Sequence, residues 1–338
     1  NPAVENLRRK VTAEHAEFVT ITKFLSKDVS NDCDILCLDE CSTISNRDMV
    51  RVLQRAQCKL LVLVGDIYQI ESILFGNWFN IADKVMPKDS VAELTRPHRT
   101  TVQGLIEVWN KVREITEDRL EFITRNGLSS TLDESIFSRT EEDEIVLCLN
   151  YDGIYGINNI NKFLQSNNVN PSINWGVLSY KVGDPVLFNE SNRFAPLVYN
   201  NLKGKILQIE EEEDCIYFTI EVYTVLNELD VIGFDLELKE SVTDETSVIR
   251  FKVGRGGDGN DDNDNVENVV PFQVAYAISI HKAQGLEYES VKVVITSEIE
   301  EMVSHNIFYT AITRAKSKLK IYWSPETEKR ILENMKVQ

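Results

Sequence analysis

Apolar positions in the first third of the chain fall into short runs separated by longer stretches of helical spacing. Asp34 to Leu38 and Lys59 to Val64 are two such runs, each ending in acidic or Gly-containing turns, and Asn46 to Ala56 between them reads as a helix. Continuous apolar runs joined by helices predict a parallel sheet with crossover helices, buried on both faces. Residues 2–12 have helical spacing with Val4, Leu7 and Val11 on one face, residues 101–125 read as helical, and Glu144 to Leu149 reads as another buried strand. From about Gly183 to Val253 the period changes. Pro185–Phe188, Lys205–Ile209, Cys215–Val222 and Ser247–Val253 are short runs parted by turn residues, which predicts a small β-barrel-like insertion. Residues 254–268 are low in complexity and acidic; strands near Val291–Ile295 and Lys318–Trp323, around a helix at Ile307–Lys316, then restore the α/β pattern.

The expected fold is therefore α/β: two parallel-sheet units, the second interrupted by a β module. The boundaries fall at 1–92 for the first unit and at 93–182 for the first part of the second. The insertion covers 183–253, the acidic loop 254–268, and the rest of the second unit 269–338. A length of 338 residues suits two compact units plus an insertion. No run of 18 apolar residues and no basic-then-apolar leader occurs, so neither a membrane span nor a secretory signal is expected.

Composition changes this picture in two places. The net charge of −18 argues against a nucleic-acid partner at first sight, but much of the acid is local, in Glu210 to Asp214 and Asp258 to Asp264. A groove need only be basic where it touches the polymer. Among six cysteines, Cys33, Cys37 and Cys41 mimic a metal comb, yet they lie along one strand-like run. At ~3.3 Å per residue the outer two stand on the order of 26 Å apart, too far to share one ion. Cysteines without a disulfide framework lead to the expectation of a reducing cytoplasm.

Four clusters carry candidate chemistry. Asp39-Glu40 ends the first apolar run, where open α/β sheets place ligands. Asp39 can hold a hydrated Mg²⁺, and Glu40 can orient or deprotonate water. Gly65-Asp66-Ile67-Tyr68-Gln69 ends the second run; its glycine permits close approach to phosphate, and Gln69 can bond a phosphate oxygen and a water. Arg314, expected on the helix near the C-terminus, can neutralise charge on a transferring phosphoryl group. His281 to Glu287 can aim Ser279, His281 and Lys282 at a nucleic-acid backbone while Gly285 and Glu287 meet nucleotide. Each cluster alone has an ordinary reading as well: a helix cap, a common Gly-Asp turn, a surface arginine, a structural histidine.

Their order and spacing resemble the signatures of superfamily-1 helicases of the RecD-like kind. Asp39-Glu40-Cys41-Ser42 looks like the Walker B motif, and Gly65 to Ile73 resembles the third motif in its RecD form. Leu94-Thr95-Arg96-Pro97-His98-Arg99-Thr100 is similar to the fourth, with Arg99 as its arginine and Arg96 as the competitor. Ser279 to Glu287 resembles the fifth, and Thr310-Ala311-Ile312-Thr313-Arg314-Ala315-Lys316 the sixth. Fainter likenesses are Asn1 to Val4, the tail of a DNA-contacting motif, and Thr20-Ile21-Thr22-Lys23-Phe24, whose Thr20, Thr22 and Lys23 would meet DNA phosphates. Gly183 to Leu187, with Tyr199 to Gly204, is similar to the start of the family's SH3-like insertion.

The resemblance implies two RecA-like domains with ATP and Mg²⁺ between them. Asp39 would serve the metal, Glu40, Gln69, Arg99 and Arg314 the chemistry, and Asp66, Gly285 and Glu287 the nucleotide. It implies 5′-to-3′ movement on single-stranded DNA and leaves room for a nuclease or another domain or subunit as partner; no membrane partner is expected. The same motifs suit two alternatives, a viral-type RNA helicase and a non-catalytic nucleic-acid-binding module. No Gly-x-x-x-x-Gly-Lys-Ser/Thr occurs in the chain. The expectation is a chain truncated before its phosphate loop and inactive alone.

Overall fold

A computed structural model describes residues 11, 15–26, 31–70, 78–95, 97–189, 193–195, 197–241, 243–255 and 268–335. Asn1 to Val4 and the rest of the 2–12 helix before Val11, Glu71 to Ile73, Arg96 and most of the acidic 254–268 stretch lie outside the described residues. The chain divides into two compact units. An α/β unit takes the described residues up to Ile136, Glu141–Leu149 and those from Ser279 on; a β unit takes Phe137–Thr140 and Asn150–Ile278.

In the α/β unit, β1 (Asp32–Leu38) and β2 (Gln57–Leu63) pair in parallel, with Leu38 opposite Leu63. Parallel pairing demands a crossover, and helix Asn46–Arg55 supplies it. Ser45 caps that helix: its hydroxyl accepts from the Asp48 amide at 3.1 Å and donates to the Asp48 carboxylate at 3.0 Å. Met49 and Val52, three apart, pack with Phe24, Leu38, Cys41 and Ile44 in one core cluster. A second parallel set runs in the order β4 (Glu144–Cys148), β13 (Tyr288–Val294), β14 (Ala315–Tyr322), β3 (Ser129–Ser130). Every residue of β4 is buried, as expected of a strand covered on both faces.

Residues 101–125 are two helices, Gln103–Arg113 and Arg119–Arg125, rather than one. The first closes in a Schellman arrangement: the Thr116 amide bonds the Lys111 carbonyl and the Ile115 amide that of Val112. That places Ile115, without glycine's freedom, at φ 52. The Arg119 guanidinium then takes the Ile115, Thr116 and Leu332 carbonyls.

The β unit holds a hairpin, β5 (Ser172–Trp175) with β6 (Leu178–Lys181), and a six-stranded antiparallel sheet. The sheet order is β10 (Glu237–Lys239), β11 (Ser247–Gly254), β9 (Cys215–Val222), β8 (Lys203–Glu211), β7 (Pro185–Phe188), β12 (Phe272–Val274). β9 alternates half-buried and buried residues along its whole length, the period that identified it in the sequence. Its buried face joins Phe188, Phe251 and Phe272 in an aromatic core with edge-to-face contacts such as Phe218–Phe272 at 5.0 Å. Asp184 is wholly buried at the entrance to β7. Its two oxygens accept from the Tyr276 hydroxyl (2.8 Å), Asn168 Nδ2 (2.9 Å), Gln165 Nε2 (2.6 Å) and the Lys181 amide (2.9 Å).

Candidate nucleotide site

The site lies in the α/β unit and begins where β1 and β2 stop. The Val64 amide bonds the Leu38 carbonyl and the Cys41 amide that of Val64, so the two strand ends turn away together. Gly65 sits in this crossing; a Cβ there would lie 3.1 Å from the Cys41 nitrogen and 2.7 Å from the Phe79 ring. Asp39 is exposed and accepts from the Glu40 amide at 2.9 Å. Glu40 occupies the left-handed region (φ 54, ψ 42), uncommon for a residue with a long side chain. Burial lifts its carboxyl above the ordinary range, and the Asp39 charge beside it adds to this. Arg314 pulls the other way, Asp66 pushes up again, and Arg99 opposes.

The turn after β2 is built by Asp66. Its carboxylate accepts from the Tyr68 amide at 2.9 Å and from Gln69 Nε2 at 3.1 Å. The amide oxygen of Gln69 in turn accepts from Arg314 Nη2 at 3.4 Å. Arg314 is 1% exposed, and its other bonds go to the Thr310 carbonyl (2.9 Å), the Leu286 carbonyl (3.3 Å) and the Thr313 hydroxyl (3.2 Å). Burial and the neighbouring Arg99 charge bring its pKa down to about 10, which leaves it protonated at neutral pH.

Arg314 does not lie on a helix, as the sequence suggested. The helix ends at Ile312: Thr313 directs its hydroxyl at the Tyr309 and Thr310 carbonyls, and Arg314 Nε takes the Thr310 carbonyl as well. Side chains thus occupy acceptors that a further turn would need, and the chain enters β14 at Ala315. The arginine stands at the helix-to-strand junction.

Arg99 donates through Nε to Glu287 at 2.8 Å and through Nη1 to the Thr313 carbonyl at 2.7 Å. Lys316 Nζ reaches the other Glu287 oxygen at 3.6 Å. Burial works to raise the Glu287 carboxyl, but the Arg99 charge and hydrogen bond, with Lys316 and Arg314, outweigh it and hold the carboxyl below its usual range. Gly285 has φ 77, a conformation that glycine adopts freely. Gln69, Asp66, Arg314, Arg99 and Glu287 are thereby linked by contacts or charge, with Glu40 within the field of both arginines. Among the described residues, no side-chain bond joins Asp39 to that network.

The expected nucleic-acid contacts sit on two other turns of the unit. Thr20 caps helix Ile21–Phe24, its hydroxyl accepting from the Lys23 amide at 3.2 Å, and Thr22 and Lys23 are exposed. Ser279 is buried and accepts from the Lys282 amide at 3.2 Å; His281 is exposed. Three residues with no assigned role enter the site. Asn306 and Gln284 donate to main-chain carbonyls of 67–70, and Thr310 accepts from the Ile70 amide. Gln284 and Thr310 fall inside quoted motifs, but nothing in the pattern around Asn306 marks it.

The donor set suits nucleotide. Asp39 offers the hard oxygen that a largely hydrated Mg²⁺ accepts, and a buried guanidinium bonded only to carbonyl, amide and hydroxyl oxygens among the described residues suits an anion. The UvrD-like helicase C-terminal domain family matches residues 274–322, and an AAA domain family matches 3–133. The latter argues against the expectation of a chain that lacks its phosphate-binding part and is inactive alone. The RecD subunit of the RecBCD enzyme from Mycolicibacterium smegmatis is 23% identical over 319 residues, 85% of this chain and 50% of that protein. An uncharacterized protein of Methanocaldococcus jannaschii is 24% identical over 355 residues, 87% of this chain and 29% of its own length. This chain thus spans half or less of these relatives. The crystal structure of Pif1 helicase from Candida albicans aligns with a TM-score of 0.52 at 17% identity, covering 93% of this chain and 77% of that one, a likeness of fold. With the ordered motifs and the network they form, these matches show a chain similar to the RecD-like superfamily-1 helicases.

Proposed function

We propose that the protein is an ATP-dependent DNA helicase or translocase, moving 5′ to 3′ on single-stranded DNA in a cytoplasmic setting, with the nucleotide between two RecA-like domains. In this reading the first domain covers residues 1–92, and the second covers 93–338 with the β insertion inside it. The observation that carries the proposal is the buried Arg314 joined to Gln69 beside Glu40. Residues from the two ends of the sequence share one polar network there.

Bound MgATP would supply the electrophilic phosphoryl group. Asp39 would hold the metal through its water shell, and Asp66, Gly285 and Glu287 would border the nucleotide. Glu40, whose raised pKa brings it closer to working pH, accepts a proton from water. Gln69 orients that water while its oxygen stays on Arg314. Arg314 and Arg99 meet the charge that develops on the phosphoryl oxygens. Thr20, Thr22, Lys23, Ser279, His281 and Lys282 would take phosphates of the strand. The Thr20 hydroxyl accepts in the cap, which leaves its proton for an anion. The relatives named RecD act as subunits, so a nuclease or other subunit is part of the proposal.

Arg314→Ala in the intact protein should lower kcat for ATP by a factor on the order of 10³ while DNA binding persists. Unchanged turnover would remove the arginine from the mechanism. Strand displacement on matched DNA and RNA duplexes tests the polymer; preference for RNA would replace this proposal with an RNA motor.

A further inference from the structure

The mechanism uses the Gln69 side chain, and the main chain that carries it is held from elsewhere. Asn306 Nδ2 donates to the Gln69 carbonyl at 2.9 Å and leans toward the Ile67 carbonyl at 3.4 Å. The Thr310 hydroxyl, one turn further along helix His305–Ile312, accepts from the Ile70 amide at 3.0 Å. Gln284 Nε2 lies 3.4 Å from the Ile70 carbonyl. The Tyr68 ring stands edge-on to His305 and Tyr309, each at 6.0 Å, with the Arg113 guanidinium 5.0 Å from its centre. His305 is itself fixed by a 2.8 Å bond to the Val112 carbonyl. Three consecutive residues, Tyr68, Gln69 and Ile70, are thus each gripped by the segment that ends in Arg314. All of these groups belong to the α/β unit.

A turn after a strand ordinarily satisfies its polar groups locally or with water. Here a buried asparagine and a fully buried threonine are spent on them, some 240 residues away in the chain. The spacing matters: Asn306 and Thr310 are four apart, so they share one helix face, and Arg314 follows four residues later. The helix sets the main chain of Gln69, and the guanidinium that the Gln69 side chain meets stands just past its end, tied back to the Thr310 carbonyl at 2.9 Å.

We infer that Asn306 and Thr310 are positioning residues that lock Gln69 to Arg314, so that the water-orienting amide and the charge-stabilising arginine move as one piece. This rests on the ATPase reading above. Loss of either grip leaves nucleotide contacts in place but frees Gln69 to drift, and misplacement by about 1 Å can cost on the order of a hundredfold in rate.

The test is steady-state ATP turnover by the intact protein with Asn306→Ala, Thr310→Val, Thr310→Ser and Gln69→Ala, with thermal melts as a folding control. Asn306→Ala and Thr310→Val should each lower kcat on the order of tenfold or more with KM for ATP within about twofold. Thr310→Ser, which keeps the hydroxyl, should restore turnover, and it keeps the test readable if Asn306→Ala fails to fold. Adding either substitution to Gln69→Ala should cause little further loss, because both act through that side chain. Full turnover in Asn306→Ala and Thr310→Val while Gln69→Ala is crippled overturns the lock, as does a loss that adds to that of Gln69→Ala. Full turnover in Gln69→Ala and Arg314→Ala together overturns the ATPase reading, and the lock with it.

Discussion

Glu40 combines a left-handed backbone with a carboxyl lifted by burial, and both cost stability. A carboxyl whose pKa is raised on folding favours the native state only while protonated, so that contribution is lost as pH rises through the raised value. Glu40→Gln should therefore melt higher than the parent at neutral pH, and the gap should close in acid, within the ordinary carboxylate range. Turnover should fall by a factor on the order of 10²–10⁴, the span of a lost general base. Melts across pH beside kcat check both halves, and a variant that melts lower at neutral pH would contradict the burial argument. Glu287 gives the opposite sign. Its carboxyl is held low chiefly by Arg99 against the pull of burial, so its stability is present at neutral pH and lost as pH falls through the lowered value. Glu287→Gln should destabilise at neutral pH and match the parent in strong acid.

At the scale of the element, two turns decide the site. Gly285 at φ 77 has open space around its Cβ position, so Gly285→Ala should fail through backbone strain alone, losing about 1 kcal/mol in urea unfolding. These elements also show how far the sequence could be read. β9 coincides with its alternating run because burial on one face writes that period into the chain, and β7 coincides with a short apolar run. β1 and β2 coincide with continuous apolar runs, but the expectation of burial on both faces does not hold for them: of β1 only Leu38 is buried, and no residue of β2 is. The break at 114–118 carried no such mark, since Ile115 fills a position where glycine is the usual signal. The misplaced helix around Arg314 had a related cause. Thr313 and Arg314 end the helix with side-chain bonds that leave the apolar period intact. Motif residues such as Asp66 and Gln69 were visible because their chemistry is uncommon in that order. Asn306 was not, since a polar residue at a helix start resembles a surface position until its partner is known.

Over the whole molecule, acid dominates, and the net charge of −18 sets the long-range field against a polyanion. Binding of single-stranded DNA must then rest on a few local cations, and salt dependence counts them. Lys23→Ala should weaken binding and reduce the slope of log K against log salt by about 0.7, one phosphate's share; an unchanged slope would take Lys23 off the path. The β unit depends on a single buried carboxylate in a comparable way. Asp184→Ala leaves four donors without their acceptor, each worth roughly 1–3 kcal/mol. Hydrogen exchange should then rise across β7, β8 and β12.

The guanidinium at the end of helix His305–Ile312 has one more consequence. Only dipoles touch it among the described residues, with Glu40, Glu287 and Asp66 holding its charge from further off, so proton loss near pH 10 would remove its share of the attraction awaiting a triphosphate. Nucleotide should consequently let go as alkalinity climbs toward that point, and a saturating supply of it should postpone the release by keeping the cation charged.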